Sequence, residues 1–493
     1  MVSTPSSNAI APAEKTGRHL IGASWENGDD RHREIISPAT GQVIGSIPLA
    51  DAAMVDRAVI AARPAAPFLR RLSRQDRAYY LRRVADIMDA RADALSHLVT
   101  LEQGKPIAQA EGEVAASALA LRMAADYILT VETPSPPLLD PMKRAFIELK
   151  PRGVYGIITP WNFPIATACC YYLGPGLAAG NALIWVPAPT TSLAATALVE
   201  CFLEADPPVE GMVNLVLGDG PDAGDALVTH NGVDALAFTG STETGRIISS
   251  RAGPKSVSLE LGGNGPTIVF EDADIERAAA RSAVAAFTNA GQICTSTERV
   301  LVQKGVYEEF VERATREAEA MRLGDPFDQD TTIGPLHNEA TAKKVAAHIS
   351  DAVKGGGRTT FGGARASGFP TDLYFQPTVI ADVPPDSALH CEETFGPVIP
   401  ILPFEDEESL HALISKSNYG LFGSVFTRSM GRAMGLINDL KVGVLNINEM
   451  SAYWEPGMPG SGASGTLSGT GRIGIGPSIL SMSDQVTVTM DLN

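Results

Sequence analysis

Val154-Tyr155-Gly156-Ile157-Ile158-Thr159-Pro160-Trp161-Asn162-Phe163-Pro164 is an apolar run of strand length that ends in a turn bracketed by prolines. Further runs of that kind follow at 182–186, 213–217 and 235–238, and the stretches at 173–177, 193–203, 223–230 and 243–251 have helical character. A strand that is apolar throughout is covered on both faces, the condition of parallel strands joined by helical crossovers. This part of the chain is expected to form a doubly wound parallel sheet, the architecture in which a nucleotide sits across the strand ends.

Upstream, Arg144-Ala145-Phe146-Ile147-Glu148-Leu149 alternates apolar with polar like an exposed strand, behind a break at Pro134-Ser135-Pro136-Pro137. Between Asp51 and Ile128, Val55, Ala58 and Val59, then Leu81, Val84, Ile87 and Met88, recur at helical spacing and predict a helical layer. Residues 1–45 are polar and turn-rich, with Ser37-Pro38-Ala39-Thr40-Gly41 reading as a tight turn between short strands. Downstream, a second α/β set starts at Thr267-Ile268-Val269-Phe270, with helices at 275–289 and 306–321 and strands at 299–302 and 443–447. Residues 455–476 are dense in Gly and Ser, which by composition alone reads as a flexible linker. Val486-Thr487-Val488-Thr489-Met490 alternates again and is expected to pair with the protruding strand near residue 146.

A chain of 493 residues has room for roughly three domains of ~150 residues. Its net charge of -18 repels phosphate backbones and anionic lipid, so no nucleic acid and no membrane partner is expected. Cys169, Cys170, Cys201, Cys294 and Cys391 are scattered, with no CxxC, which points away from a disulfide framework and from a metal site. The first twenty residues, interrupted by Pro5, Pro12, Glu14 and Lys15, lack a signal-peptide core, and a cytoplasmic protein is expected.

Chemistry gathers around Thr288-Asn289-Ala290-Gly291-Gln292-Ile293-Cys294-Thr295-Ser296. A thiol adds covalently to a carbonyl, an amide such as Asn162 stabilises the resulting oxyanion, and a carboxylate such as Glu260 in Leu259-Glu260-Leu261-Gly262-Gly263-Asn264 activates water. None of the eight histidines falls inside these segments, which argues against a Cys-His hydrolase.

Five motifs in one order give the chain a family resemblance: PWNFP at 160–164, FTGSTETGR at 238–246, LELGGNGP at 259–266, GQICTS at 291–296 and EETFGPV at 392–398. From about residue 20 to 488 the chain resembles the aldehyde dehydrogenase superfamily. That resemblance implies an α/β fold with a doubly wound, Rossmann-like dinucleotide domain (1–129 and 150–258), a second α/β catalytic domain (259–476) and a small β oligomerisation arm (130–149 and 477–493). It implies Cys294 as nucleophile, Asn162 with the Cys294 backbone N–H as oxyanion donors, and Glu260 as general base. The cofactor implied is NAD, with NADP possible, on Trp161, Gly218, Gly240, Ser241, Glu243, Gly245, Leu261, Gly262, Glu393 and Phe395. An aldehyde is the implied substrate, with Tyr172, Trp454 and Met458 near it, and a homodimer or homotetramer the implied assembly. Alternatives on the same framework are a CoA-acylating dehydrogenase and a cysteine-dependent esterase or thioesterase.

Two positions depart from the family pattern. Val186 and Pro189 stand where a Lys and often a Glu grip the adenosine ribose, so weaker cofactor binding with only a modest preference for NAD is expected. Gly460, in Met458-Pro459-Gly460-Ser461, replaces an aromatic residue at the substrate mouth, which leaves the aldehyde unassigned.

Overall fold

The computed structural model describes residues 16–28 and 31–492. The readings made on residues 1–15, the missing signal-peptide core among them, and the last residue of the arm, Asn493, lie outside the described residues.

The first sheet starts in its middle. From Val154–Ile158 the chain winds outward through Ala182–Val186 to Val213–Leu215, then returns to the other side through Ala235–Thr239 and Ser256–Glu260. These five strands are parallel, and His19–Ile21 and Ser24–Glu26 close one edge antiparallel. The winding direction therefore reverses between Val154–Ile158 and Ala235–Thr239. At such a reversal the loops leaving the two strand ends diverge and open a crevice, here between Thr159-Pro160-Trp161-Asn162 and Gly240-Ser241. The doubly wound expectation is met.

Burial explains the apolar runs: every residue of Ala182–Val186 is buried, between helices on both faces. The helical layer is present as Ala52–Arg71, Arg74–Ala90, Ala92–Gln103 and Ile107–Thr130. Asp51 and Ser73 cap the first two, accepting from the N–H groups of Met54 and Asp76, interactions worth about 1 kcal/mol each.

The second sheet runs Arg358–Phe361, Thr378–Ala381, Val398–Phe404, Arg299–Gln303, Pro266–Val269, Phe422–Phe426, Val444–Ile447, with only the first strand antiparallel. Val398–Phe404 lies inside this sheet, although Pro400 and Pro403 remove two ladder donors and hid it from a pattern reading. The arm forms as expected: Lys143–Pro151 and Ser483–Asp491 pair antiparallel along their whole length.

Four local expectations change. The strand at 213–217 stops at Leu215. The helix at 275–289 stops at Phe287, and Asn289 and Ala290 both take a left-handed φ of 53° in the turn that follows. The helix at 173–177 is the end of a longer element, a π-helical segment Thr167–Leu173 continued by Gly174–Ala179. Residues 455–476 are not a free linker: Ser461 and Ser468 are fully buried, Leu261 N–H donates to the Ser468 carbonyl, and Thr470 N–H donates to that of Leu259. Glycine serves there for close approach, since a Cβ on Gly469 would stand 2.0 Å from the Leu259 oxygen.

Among the described residues, no helix is long and apolar enough to cross a membrane.

Candidate active site

A cavity of about 590 Å³ opens at the sheet reversal, and Asn162, Glu260 and Cys294 all line it. Residues 98 and 34 positions apart in the chain meet because each closes a strand or helix that points at the same crevice. Cys294 follows the left-handed turn after Ile275–Phe287, where Gly291 is required: a Cβ there would lie 2.1 Å from the Gly396 oxygen. Gly263 is required for a similar reason, its hypothetical Cβ falling 2.0 Å from the Cys294 oxygen. Burial, together with the carboxylates of Glu393 and Glu260, pushes the Cys294 thiol up to about 12. The N–H groups of Cys294 and Thr295 point at the sulfur and oppose that rise.

Asn162 leaves the reversal on the loop after Val154–Ile158. Its side-chain amide donates to the Gln292 carbonyl at 2.9 Å, which fixes the amide two residues from the thiol and leaves its second N–H for the cavity. Glu260 ends Ser256–Glu260 and is only 4% exposed. Its Oε1 has no hydrogen-bond partner, and burial pushes its carboxyl up to about 8; the nearby Ser461 hydroxyl and the charge of Arg472 oppose that rise without completing a bond to Oε1.

Of the other residues singled out from sequence, Trp161, Gly240, Ser241, Leu261, Gly262, Glu393, Phe395 and Trp454 line the same cavity. Gly218, Glu243, Gly245, Tyr172 and Met458 do not. Gly245 and Gly218 serve close packing, against the Leu261 side chain (2.5 Å to a hypothetical Cβ) and against Ala223 (2.7 Å). Tyr172 turns into the core, its hydroxyl 2.5 Å from Thr239 Oγ1, while its neighbour Tyr171 faces the cavity. Met458 contributes a carbonyl that accepts from Trp454 Nε1 at 3.0 Å.

A model of the aldehyde dehydrogenase family matches residues 25–488. This chain belongs to the aldehyde dehydrogenase family. It is 38% identical over 435 residues to the mitochondrial succinate-semialdehyde dehydrogenase of Arabidopsis thaliana, covering 87% of this chain and 81% of that one. With the NADP(+) succinate-semialdehyde dehydrogenase of Escherichia coli it shares 37% over 433 residues, 87% of this chain and 89% of the other. The structure superposes with a TM-score of 0.92 and 30% identity on betaine aldehyde dehydrogenase from Staphylococcus aureus in complex with NAD+, covering 97% of this chain and 95% of that one. As a member of this family the protein is an oxidoreductase that uses NAD or NADP.

The dehydrogenase's own residues fit a nicotinamide dinucleotide at one end of the crevice. Ser241 caps Thr242–Arg251, accepting from Thr244 N–H, and Gly240 N–H is tied to the Glu260 carbonyl at 3.1 Å. A helix start of this kind favours an anionic group such as a diphosphate. Gly262 makes room for the Glu393 carboxylate, which a Cβ would meet at 2.6 Å, and Gly263 N–H donates to Glu393 Oε1 at 2.8 Å. At the other end Val186 is 2% exposed and Pro189 opens a 3-10 turn, so neither side chain offers a hydrogen bond.

Three charged residues that no motif reading selected hold this site in place. Lys105 Nζ, fully buried, pairs with Glu113 at 2.6 Å and donates to the Asn162 carbonyl at 2.8 Å. Glu113 also accepts from Ile165 and Ala166 N–H, at 2.9 and 3.0 Å, so the pair clamps both sides of Asn162. Glu298 accepts from Thr394 and Phe395 N–H at 2.7 and 2.9 Å, anchoring the loop that carries Glu393, and burial beside Glu393 pushes its carboxyl up to about 8. The signal for Lys105 and Glu113 was a pair of opposite charges on either side of a helix start. Their distance from the motifs concealed it.

Proposed function

We propose that this dehydrogenase oxidises an aldehyde to its carboxylate through a covalent adduct at Cys294, with Asn162 as oxyanion donor and Glu260 as base. The observation that carries the reading is the convergence of thiol, amide and partnerless buried carboxylate on one cavity at the sheet reversal.

Cys294 releases its thiol proton to solvent as Sγ adds to the carbonyl carbon, and the π electrons move to oxygen, where the free N–H of the Asn162 amide and the Cys294 backbone N–H donate. Losing one such donor costs roughly 10²–10³ in rate. Trp161, Glu393 and Phe395 would hold NAD(P), which would supply the hydride acceptor needed to oxidise the adduct to a thioester. Glu260 then takes a proton from water, hydroxide oxygen attacks the thioester carbon, and the sulfur leaves to regain its proton. A carboxyl held near 8 suits proton abstraction near neutral pH.

The test is NAD(P)H formation with a panel of aldehydes, with Cys294→Ala as control. Turnover by that variant at the normal rate overturns the proposal. Addition of coenzyme A, followed by a search for acyl-CoA, separates hydrolysis from acyl transfer; Glu260 favours hydrolysis because a base that activates water destroys the thioester. A cytoplasmic setting and pairing of subunits through the arm complete the proposal, the five thiols being free.

A further inference from the structure

The two ends of the cavity differ in character. At one, Trp161 and Phe395 meet edge to face with ring centroids 5.7 Å apart, and the charge of Lys344 acts on Glu393 and Glu298. At the other, Tyr171 stands edge to face against Trp454, centroids 5.3 Å apart. Cys294 lines the same cavity as both pairs, and besides burial its thiol responds to Glu393 at the one end and bears on Tyr171 at the other. The first end carries the residues assigned to the nicotinamide, which leaves the Tyr171 and Trp454 end for the tail of the aldehyde.

Among the described residues, the cavity wall holds one cation, Lys344, and three carboxylates, Glu113, Glu260 and Glu393. Lys344 stands with Glu393 and Glu298, and the buried Lys105 is engaged by Glu113 and the Asn162 carbonyl. A carboxylate tail lying against Tyr171 and Trp454 would surrender its hydration to two rings, while the one cation of the wall, Lys344, stands with Glu393 and Glu298 at the other end. A ring or a compact apolar chain would instead gain edge-to-face contact and lose little.

We infer that the aldehyde taken by this enzyme is uncharged and ring-bearing or compactly apolar, its tail lodged against the edge-to-face pair of Tyr171 and Trp454, in contrast to the dicarboxylic semialdehydes named for its relatives. The inference rests on the aldehyde oxidation proposed above. Atoms balance as there: the aldehyde carbon gains the water oxygen, and its hydride goes to NAD(P).

The test compares kcat/KM of the full-length enzyme for 3-phenylpropanal and benzaldehyde with that for succinic and glutaric semialdehydes. At least about a ten-fold advantage for the uncharged pair is expected, the scale of a tail bound with its polar demands unmet. Semialdehydes that match or exceed them overturn the inference. A cofactor-free readout uses p-nitrophenyl esters: release of p-nitrophenol should be faster from the 3-phenylpropanoyl ester than from the hydrogen succinyl ester, and the reverse order overturns the inference. Trp454→Ala should lower kcat/KM for 3-phenylpropanal several-fold more than for acetaldehyde; an unchanged ratio counts against the assigned position of the tail. If semialdehydes win while Cys294→Ala is inactive, only the substrate class fails. Should no aldehyde yield NAD(P)H and ester cleavage survive Cys294→Ala, the reaction itself is wrong and the substrate class falls with it.

Discussion

Glu260 and half-buried Cys294 share the cavity wall, and desolvation there holds each in its uncharged form at neutral pH. Because the base works only when ionised, thioester hydrolysis should rise with pH through about 8 and level off above it, with the lower limb lost in Glu260→Gln. Pre-steady-state traces of Glu260→Gln should show a burst of NAD(P)H followed by a steady rate reduced by about 10²–10⁴; a wild-type steady rate overturns the assignment. A thiol pushed to about 12 is a weak nucleophile before ligand binds. Alkylation of Cys294 by iodoacetamide in the cofactor-free enzyme should therefore be slow at pH 7 and still climbing at pH 10, read by mass spectrometry of the Cys294 peptide against that of half-buried Cys391. A plateau below pH 8 would contradict it.

Elements bring these groups together through a few irregular joints. The π-helical segment Thr167–Leu173 adds a residue to its turn, which rotates Tyr171 toward the cavity and Tyr172 toward Thr239. The helix Ile107–Thr130 holds the loop bearing Asn162 through the buried Lys105 and Glu113 pair. Removing one partner leaves the other charge stranded, a loss of about 3–5 kcal/mol for a buried pair. Lys105→Met should lower unfolding stability by that order in urea titration and reduce kcat/KM for an aldehyde more than it alters its KM; full activity would show that the clamp is dispensable. At the end of Ala182–Val186, neither Val186 nor Pro189 has a polar side chain to offer an adenosine ribose. Dissociation constants for NAD and NADP, read by quenching of tryptophan fluorescence, should lie within about ten-fold of one another. Micromolar or tighter binding of one with exclusion of the other would refute this.

At the scale of the whole molecule, the arm is a two-stranded ribbon whose Lys143–Pro151 edge meets only the segment at 134–135 and whose Ser483–Asp491 edge pairs with no further strand among the described residues, and Phe146, Met490 and Leu492 remain exposed on it. Two strands alone are marginal in water, and open edges recruit further strands. Light scattering coupled to size-exclusion chromatography should give a dimer or tetramer. Truncation after Met482 should shift it toward smaller species, whereas a monomeric full-length protein would leave the arm without its proposed use.

Much of this was legible along the chain. Apolar runs of strand length disclosed the first sheet, because a strand buried on both faces has no polar side to show. Cys294, Asn162 and Glu260 were legible as chemistry, since few reactions need a thiol, an amide and a carboxylate in such segments. Val398–Phe404 was not, because its prolines argue locally against the strand that its neighbours impose. Residues 455–476 misled for a related reason: glycine reads as freedom, yet here it permits backbones to touch. The sequence by itself determined which atoms are available to react and the order in which strands are made. Only the tertiary structure decided that Glu260 is a neutral carboxyl near 8, that Tyr171 rather than Tyr172 meets the cavity, and that Lys105 lies beneath Asn162. Acidity and orientation depend on burial and on neighbours distant in the chain, and neither is written at any single position.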